Sequence, residues 1–177
     1  MAENTLVLNN IFSALTVASN IFLLIIIVSL FNRGRNGSKK FLSFLKHHSY
    51  NLAFLFSLGA VIGSLIYSEF IGFEPCSLCW IQRIFLFSLA LILCIALFKR
   101  EKVINDYILG LSILGGLISL YHAITQLGGP SLTTCTKIGG DCSVVYFVNF
   151  GYITIPFMAF SIFALITAFM FIQRLPD

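Results

Sequence analysis

The chain has 177 residues, of which 58% are hydrophobic and 10% are charged, and its formal net charge is +4. Soluble domains carry about 25% charged residues, so the composition argues against a soluble protein. The small net charge also gives no reason to expect a nucleic-acid partner. The apolar residues lie in long blocks, as is typical of a polytopic membrane protein.

Five apolar blocks follow one another along the chain. Each has about 20 residues, which as a helix rising about 1.5 Å per residue crosses a hydrocarbon core about 30 Å thick. The blocks lack the alternation of apolar and polar residues expected of membrane strands. The sequence therefore predicts an all-α fold with five transmembrane helices, at about Leu6–Phe31, Leu52–Phe73, Leu78–Phe98, Tyr107–Leu127 and Gly151–Ile172.

The first block has the position of a signal peptide but not its flanking charges. The residues before it carry Glu3 and no basic side chain, and the block is longer than the apolar region of a typical signal peptide. We therefore expect a retained helix whose N-terminus lies outside the cytoplasm.

The basic residues predict how the five helices are oriented. One cluster lies between the first and second blocks, another between the third and fourth, and Arg174 follows the last block. Because basic residues concentrate on the cytoplasmic side, these places are predicted to be cytoplasmic, and the connections 74–77 and 128–150 to lie outside. The two clusters are Arg33, Arg35, Lys39, Lys40 and Lys46, and Lys99, Arg100 and Lys102.

Four of the five cysteines fall on the predicted outer face, in two local pairs. Cys76 and Cys79 form a Cys-X-X-Cys motif at the start of the third helix, a spacing typical of redox-active dithiols. Cys135 and Cys142 lie in the long outer connection. A disulfide across that short ring would stabilise the fold by only about 2.5 kcal/mol, which suits a bond that is opened and reformed. Cys94, within the third helix, is predicted to be an ordinary buried residue.

Two other interpretations of the cysteine pairs remain open. Four cysteines in two pairs could bind one zinc ion, although the spacing of the second pair is loose for a zinc site. Both pairs could also be inert structural disulfides. The redox interpretation is favoured, and no metal is expected.

The first pair lies in a sequence that favours a thiolate. Pro75 is typical of a helix entry, so the pair is predicted to lie on the first helical turn, where the helix dipole stabilises negative charge. Arg83 follows Cys79 by four residues and shares its face. We therefore expect Cys79, more than Cys76, to hold negative charge in the reduced pair. Arg83 could also donate to a quinone carbonyl oxygen, or reach the outer headgroups instead.

Two polar residues near the outer end of the fourth helix are further candidates. His122 and Gln126 are four residues apart and share a helix face. His122 could donate a hydrogen bond or a proton to a quinone, or it could simply pack at headgroup level.

Two patterns concern packing rather than chemistry. Gly59 and Gly63 form a Gly-X-X-X-Gly step that favours close helix contact in the second helix, and glycines at 110, 115 and 116 could do the same in the fourth. The apolar stretch 144–150 is predicted to be a short surface-lying helix that tethers the second cysteine pair.

Taken in order, these motifs resemble a known family. Residues 76–83, Cys-Ser-Leu-Cys-Trp-Ile-Gln-Arg, are similar to the Cys-X-X-Cys signature of bacterial DsbB-type disulfide bond formation proteins, and within them to the BdbC branch. Residues 119–122 with Gln126, and 142–144 followed by 150–157, are similar to the third and fourth core helices of that branch.

The resemblance covers about residues 50–172 and implies two parts of the chain. Residues 1–49 would supply an additional transmembrane helix and a basic cytoplasmic loop, and residues 50–177 a four-helix bundle with two extracytoplasmic redox-active cysteine pairs. The additional helix could pack against the bundle, recruit the partner or only fix the topology. The protein would be a multi-pass protein of the bacterial plasma (inner) membrane, with its N-terminus outside and its C-terminus in the cytoplasm.

The resemblance also implies an activity and roles for the matching residues. The protein would be a protein-disulfide:quinone oxidoreductase that reoxidises a DsbA-like thioredoxin-fold partner and reduces ubiquinone or menaquinone. Cys135 would form the mixed disulfide with the partner, and Cys142 would be its loop mate. Cys76 would exchange with the loop pair, and Cys79 would pass electrons to the quinone. The residues assigned to the quinone site are Arg83, His122 and Gln126.

Two further alternatives stay open from the sequence. A vitamin K epoxide reductase-like protein shares a four-helix bundle and a Cys-X-X-Cys motif, but its motif lies elsewhere in the helix order and its electron flow is reversed. A structural or zinc-bearing subunit of a membrane complex would show stoichiometric metal and no redox-dependent change in thiol count.

Overall fold

The computed structural model describes residues 2–99, 102–129 and 142–175. Within these ranges the chain forms five α-helices and no strand, and each helix contains a stretch long and apolar enough to cross a membrane. The prediction of an all-α polytopic membrane protein is therefore confirmed. The helices are α1 (Ala2–Phe31), α2 (Asn36–Leu65), α3 (Ser77–Lys99), α4 (Lys102–Gln126) and α5 (Ile155–Arg174).

Helix α2 begins earlier than the sequence predicted. It starts at Asn36 rather than near Leu52, so most of the first basic cluster lies on a helix and not in a loop. The extra turns are polar on one face but bury Leu42, Leu45 and Ser49 on the other, and this spacing follows the period of an amphipathic helix. The apolar block identifies only the part of a helix that is hydrophobic enough to lie in lipid, and therefore the predicted start near Leu52 falls later than the observed start at Asn36.

Glycines permit the closest helix approaches in the bundle. A Cβ atom on Gly115 of α4 would lie 2.4 Å from Cε1 of Phe163, a fully buried residue of α5. Gly63 of α2 lies against the ring of Phe12 in α1, where a Cβ would be 3.2 Å from Cε1. The predicted close contacts are confirmed at these two positions. A Cβ on Gly59 would meet nothing within 4 Å, so the expectation for that glycine is wrong.

Helix α1 is an integral part of the bundle and packs on α2 and α5. Its inner face buries the small polar residues Ser13, Thr16 and Ser19, and the ring of Phe22 lies 6.5 Å from that of Phe56 on α2. Its opposite face exposes large aliphatic side chains such as Val7 and Ile25, as a lipid-facing surface does. Of the three roles considered for this helix, packing against the bundle is the one the structure shows.

The predicted surface helix at 144–150 is wrong. Residues 142–154 contain turns and one isolated backbone pairing between Asn149 and Ile153. Phe150 and Gly151 close this turn with φ angles of 53° and 80°, in the left-handed region that interrupts any helix. Individual hydrogen bonds and ring contacts, described below, fix this segment to the bundle. Such contacts cannot be predicted from the apolar character of the segment alone.

Candidate functional site

The first cysteine pair lies where α2 connects to α3. Helix α2 ends in a π-helical turn, Ile66–Phe70, and a short loop leads to Cys76, whose carbonyl oxygen accepts the hydrogen bond from the Trp80 backbone N–H. Cys79 follows on the first turn of α3. The two Sγ atoms are 3.3 Å apart and both thiols are free, so the pair is in its reduced form. Cys76 is buried, with 5% of its surface exposed.

A fully buried histidine joins this pair to the outer connection. His122 of α4 places Nε2 3.7 Å from Sγ of Cys76 and 3.2 Å from the carbonyl oxygen of Cys142. Its Nδ1 lies 2.9 Å from Nε2 of Gln82. With the Gln82 amide donating to Nδ1, the proton of a neutral imidazole lies on Nε2, facing the sulfur and the carbonyl. His122 therefore connects the two cysteine-bearing segments.

The contacts of the pair favour Cys76 as the site of its negative charge. The hydrogen bond with Cys79, with a further one from His122, lowers the pKa of Cys76, although burial acts in the opposite direction. The expectation that Cys79 holds the charge stays a prediction. It rests on Arg83, which lies on the same helix face as Cys79.

The guanidinium group of Arg83 binds Ser64 of helix α2. Its Nε donates to Oγ of Ser64 and one terminal nitrogen donates to the Ser64 carbonyl oxygen, both over 2.8 Å. The guanidinium carbon lies 5.4 Å from the centre of the Trp80 ring, within range of a cation–π contact. Ser64 and Trp80 thus fix the position of the Arg83 guanidinium group.

The outer segment is docked over the first pair by two side-chain hydrogen bonds. Nε2 of Gln126 donates to the carbonyl oxygen of Val144 over 3.0 Å, and the Tyr146 hydroxyl donates to that of Glu74 over 2.8 Å. The Tyr146 ring also stacks on Phe73 at 4.2 Å. These contacts hold the start of the segment beside the loop that carries Cys76.

Cys142 lies at the beginning of this docked segment. It is buried and disulfide-bonded, and its bonding partner lies outside the described residues, as does Cys135. The structure thus combines a reduced inner pair with an oxidised outer cysteine. Because Cys142 is in a disulfide, the four thiolates of the alternative zinc site are not available together in this state.

An apolar cavity of about 580 Å³ opens beside the cysteine pair. Helices α1, α2, α3 and α5 contribute most of its walls and α4 contributes Gln126, and Cys79 and Arg83 are among the other residues that line it. His122 is not among the described residues that border the cavity. Cys76 and Gln82, which contact His122, do border it. Of the three residues assigned to a quinone site, the structure therefore brings two to this cavity and places His122 behind the pair.

The reduced pair and His122 also form a set of potential metal ligands. The two sulfur atoms and one ring nitrogen lie within 4.8 Å of one another. Thiolate and imidazole groups suit soft or borderline cations such as Zn²⁺, so the reduced state could hold such an ion through Cys76, Cys79 and His122.

Residues 46–173 match the family model described as disulfide bond formation protein DsbB. The chain belongs to this family. The resemblance identified from the motifs is therefore confirmed, and it places the protein among membrane thiol–disulfide oxidoreductases. The match begins within α2 and leaves out α1. Membership in the DsbB family also decides against a vitamin K epoxide reductase-like protein.

Curated relatives share the same stretch of the chain. Disulfide bond formation protein C of Bacillus subtilis (strain 168) is 43% identical over 116 residues, which is 64% of this chain and 83% of the relative. A probable disulfide formation protein C of Halalkalibacterium halodurans is 43% identical over 117 residues, covering 64% and 84%. A probable disulfide formation protein of Chlamydia caviae is 33% identical over 131 residues, covering 73% and 94%. No solved structure matches the chain significantly.

Proposed function

We propose that this DsbB-family protein is a protein-disulfide:quinone oxidoreductase, which takes electrons from a DsbA-like thioredoxin-fold dithiol and passes them to ubiquinone or menaquinone. One observation carries the proposal: the reduced Cys76–Cys79 pair contacts His122, which also contacts the Cys142 carbonyl oxygen, and the same pair borders an apolar cavity.

The first two steps are thiol–disulfide exchanges at the outer face. The partner's thiolate attacks Cys135 of the loop disulfide, and its second thiol then displaces the loop, leaving the partner oxidised and the loop pair reduced. A loop thiolate next attacks the Cys76–Cys79 disulfide through Cys76, and closure of the loop disulfide leaves the inner pair reduced. The observed combination, a reduced inner pair with an oxidised Cys142, corresponds to the state after this second exchange.

The inner pair is prepared to release electrons in this state. The two sulfur atoms share a hydrogen bond, so with one thiolate and one thiol the closure of their disulfide releases two electrons and one proton. A bound quinone would accept these two electrons, with the second proton supplied from solvent. Both cysteines border the cavity, and Cys79 lies one helical turn before Arg83, which favours it as the sulfur beside the quinone ring.

The cavity fits a quinone in size and in polarity. Its volume of about 580 Å³ lies within the range of about 300–1,000 Å³ typical of small-molecule sites. Of the five N–H donors of Arg83, Ser64 uses two among the described residues, and the others can point to a quinone oxygen. An arginine there stabilises the charge that develops on that oxygen during reduction. Gln126 borders the same cavity while anchoring the outer segment.

The proposed topology places this chemistry outside the cytoplasm of a bacterial plasma membrane, with the N-terminus outside and the C-terminus inside. The distribution of basic residues supports this orientation, because Lys39, Lys46 and Arg174 lie at the end of the bundle opposite to the cysteine pair. We keep the division of the chain at residue 50, which falls within α2. Residues 1–49 supply α1 and the first turns of α2 with most of the basic cluster, and residues 50–177 supply the rest of α2 with α3, α4 and α5.

A steady-state assay tests the proposal. Purified protein is mixed with a reduced DsbA-like partner and a short-chain quinone, and quinone reduction is followed by absorbance. We expect turnover by the unmodified protein and none by Cys79→Ser. The matched control is Cys94→Ser, which removes a free thiol from the same helix away from the site and leaves the rate unchanged. Turnover by Cys79→Ser at the unmodified rate would refute the mechanism.

A further inference from the structure

The additional helix α1 binds the outer segment, residues 142–154, through one side chain of that segment. Nδ2 of Asn149 donates to Oδ1 of Asn10 over 3.2 Å and to Oγ of Ser13 over 2.9 Å. Asn10 and Ser13 are three residues apart on α1 and share a face, and Ser13 is fully buried. Because a carboxamide nitrogen carries two N–H groups, both side-chain donors of Asn149 are used on α1.

The backbone of Asn149 is fixed as well. Its N–H donates to the Ile153 carbonyl oxygen over 3.0 Å, and the Ile153 N–H donates to that of Asn149 over 2.9 Å. This pairing closes the turn that leads into α5. The two bonds from the Asn149 side chain therefore attach the whole turn to α1.

Aromatic rings make a second connection between the same turn of α1 and the outer segment. Phe12, next to Ser13, packs against Tyr67 with ring centroids 5.4 Å apart, and Tyr67 stacks on Phe147 at 5.8 Å. Helix α1 thus supports the segment at two nearby positions, directly at Asn149 and through Tyr67 at Phe147. The residues of α1 lie outside the family match, which covers residues 46–173.

The position of the outer segment matters most at its start. The Cys142 carbonyl oxygen lies 3.2 Å from Nε2 of His122, and that nitrogen is 3.7 Å from Sγ of Cys76. Residues 142–148 form neither helix nor strand, so individual contacts must offset the conformational entropy that is lost when they are ordered. Each such contact raises the fraction of molecules in which Cys142 is held near the inner pair.

We propose that α1 positions the outer segment for exchange between the two cysteine pairs, and that Asn149 is the positioning residue through which it acts. The inference rests on the proposed function and gives the additional helix a part in it. Asn149 takes no part in the chemistry, because the same loop thiolate attacks the Cys76–Cys79 disulfide and the same two electrons pass to the inner pair. Loss of its bonds lowers only the rate at which the loop pair meets the inner pair.

The test compares two electron-transfer steps in Asn149→Ala. Exchange from the loop pair to the inner pair is started with excess reduced partner, without quinone, and followed by a stopped-flow thiol assay. It should slow roughly 3- to 10-fold, as expected for the loss of two neutral hydrogen bonds. Quinone reduction by the reduced inner pair alone, measured in a Cys135→Ser/Cys142→Ser background, should keep its rate. A variant that is merely less stable would slow both steps.

A double-mutant cycle identifies the contact that is responsible. Ser13→Ala should slow exchange about 2- to 4-fold, and adding it to Asn149→Ala should produce no further slowing, because the two changes remove the same bond. The matched control is Ser29→Ala, the same change near the other end of α1, which should exchange at the rate of the unmodified protein.

The outcomes separate this inference from the function on which it rests. An unchanged exchange rate in Asn149→Ala, equal slowing of both steps, or further slowing when Ser13→Ala is added would overturn the role of this contact alone. No exchange between the pairs, or no quinone reduction, in the unmodified protein would overturn the proposed function. Should Asn149→Ala not fold, Ser13→Ala is compared with Ser29→Ala, and equal exchange rates in these two variants would refute the inference.

Discussion

The two ends of the helical bundle use polar side chains in different ways. At the outer end, Cys76, Gln82 and His122 are all buried and contact one another beside a cavity. At the opposite end, buried Asn105 donates to the Met170 carbonyl oxygen and Lys46 to that of Leu175, and Arg174 forms an ion pair with Asp106 in which both side chains are about half exposed or more.

This difference distinguishes the end of the bundle that carries the reactive groups from the end where polar side chains only connect neighbouring helices. Buried polar groups cost free energy unless they are paired, so a cluster of them in a membrane protein indicates a functional requirement. Exposed polar contacts at the other end satisfy helix termini and exchange with water at little cost. Four changes test the contrast, from the strongest expected effect to the weakest.

The thiolate at Cys76 gives the largest expected effect. With Cys94 and both loop cysteines replaced by serine, the reduced protein should keep its thiolate absorbance well below the ordinary cysteine pKa of about 8.5. Because the pKa is lowered, the thiolate should persist below the pH at which an ordinary cysteine is protonated, and it is lost as the pH falls through the lowered pKa. A further Cys76→Ser change should remove the signal. A thiolate that appears only near pH 8 or above would contradict the assignment.

His122 tests the contact between the two cysteine segments. His122→Leu leaves the Cys142 carbonyl oxygen and the Gln82 amide without this partner and removes a hydrogen bond to a thiolate. Hydrogen bonds to charged groups contribute about 1.5–3 kcal/mol, so exchange between the loop and inner pairs should slow roughly 10- to 150-fold in stopped-flow thiol assays.

The control for that variant is a histidine at the other end of the molecule. His47 is exposed near the start of α2, far from the cysteine pair, and His47→Leu should leave the exchange rate unchanged. Equal slowing by the two variants would show that His122 acts through general stability rather than through its contacts.

Gln126 should have a smaller effect, because its bond to the Val144 carbonyl oxygen is neutral and partly accessible to solvent. Gln126→Ala should slow exchange between the pairs about 2- to 5-fold by loosening the docked segment. Limited proteolysis of residues 142–150 should accelerate in the same variant. Unchanged proteolysis and exchange would show that Tyr146 and the aromatic contacts suffice to dock the segment.

Loss of the ion pair between Arg174 and Asp106, at the end of the bundle opposite to the cysteine pair, should have the smallest effect on activity and stability. Asp106→Asn removes the partner of Arg174, and an exposed pair contributes at most about 1 kcal/mol to stability. We expect unchanged quinone reduction and a thermal unfolding midpoint close to that of the unmodified protein. A large loss of quinone reduction in Asp106→Asn would contradict the view that only the end with the cysteine pair carries the activity.

The sequence was sufficient for the helices and for the cysteine pair, because both depend on local information. Apolar block length predicts a membrane helix, and a Cys-X-X-Cys motif lies within a single turn. The start of α2 was not predicted, because residues 36–51 are too polar to be recognised as part of a membrane-spanning block. They are nevertheless helical and bury one face against the bundle.

Other features of the site depend on contacts between distant parts of the chain. The helix face shared by Arg83 and Cys79 is local information, but the bonds from the guanidinium to Ser64 of α2 could not be predicted from it. His122 was expected beside a quinone, whereas the structure places it behind the cysteine pair, in contact with Gln82. Gln82 did carry a usable signal, as an amide within an apolar block is costly and therefore a candidate for function.

The most direct test of the central claim isolates the inner pair from the loop. A Cys135→Ser/Cys142→Ser variant is reduced, freed of reductant under anaerobic conditions and mixed with a short-chain quinone, and both hydroquinone and remaining thiols are counted. We expect about one hydroquinone per protein, with loss of two thiols as Cys76 and Cys79 close their disulfide. If both thiols remain and no hydroquinone forms, the pair does not deliver electrons to the membrane and the proposed function is contradicted.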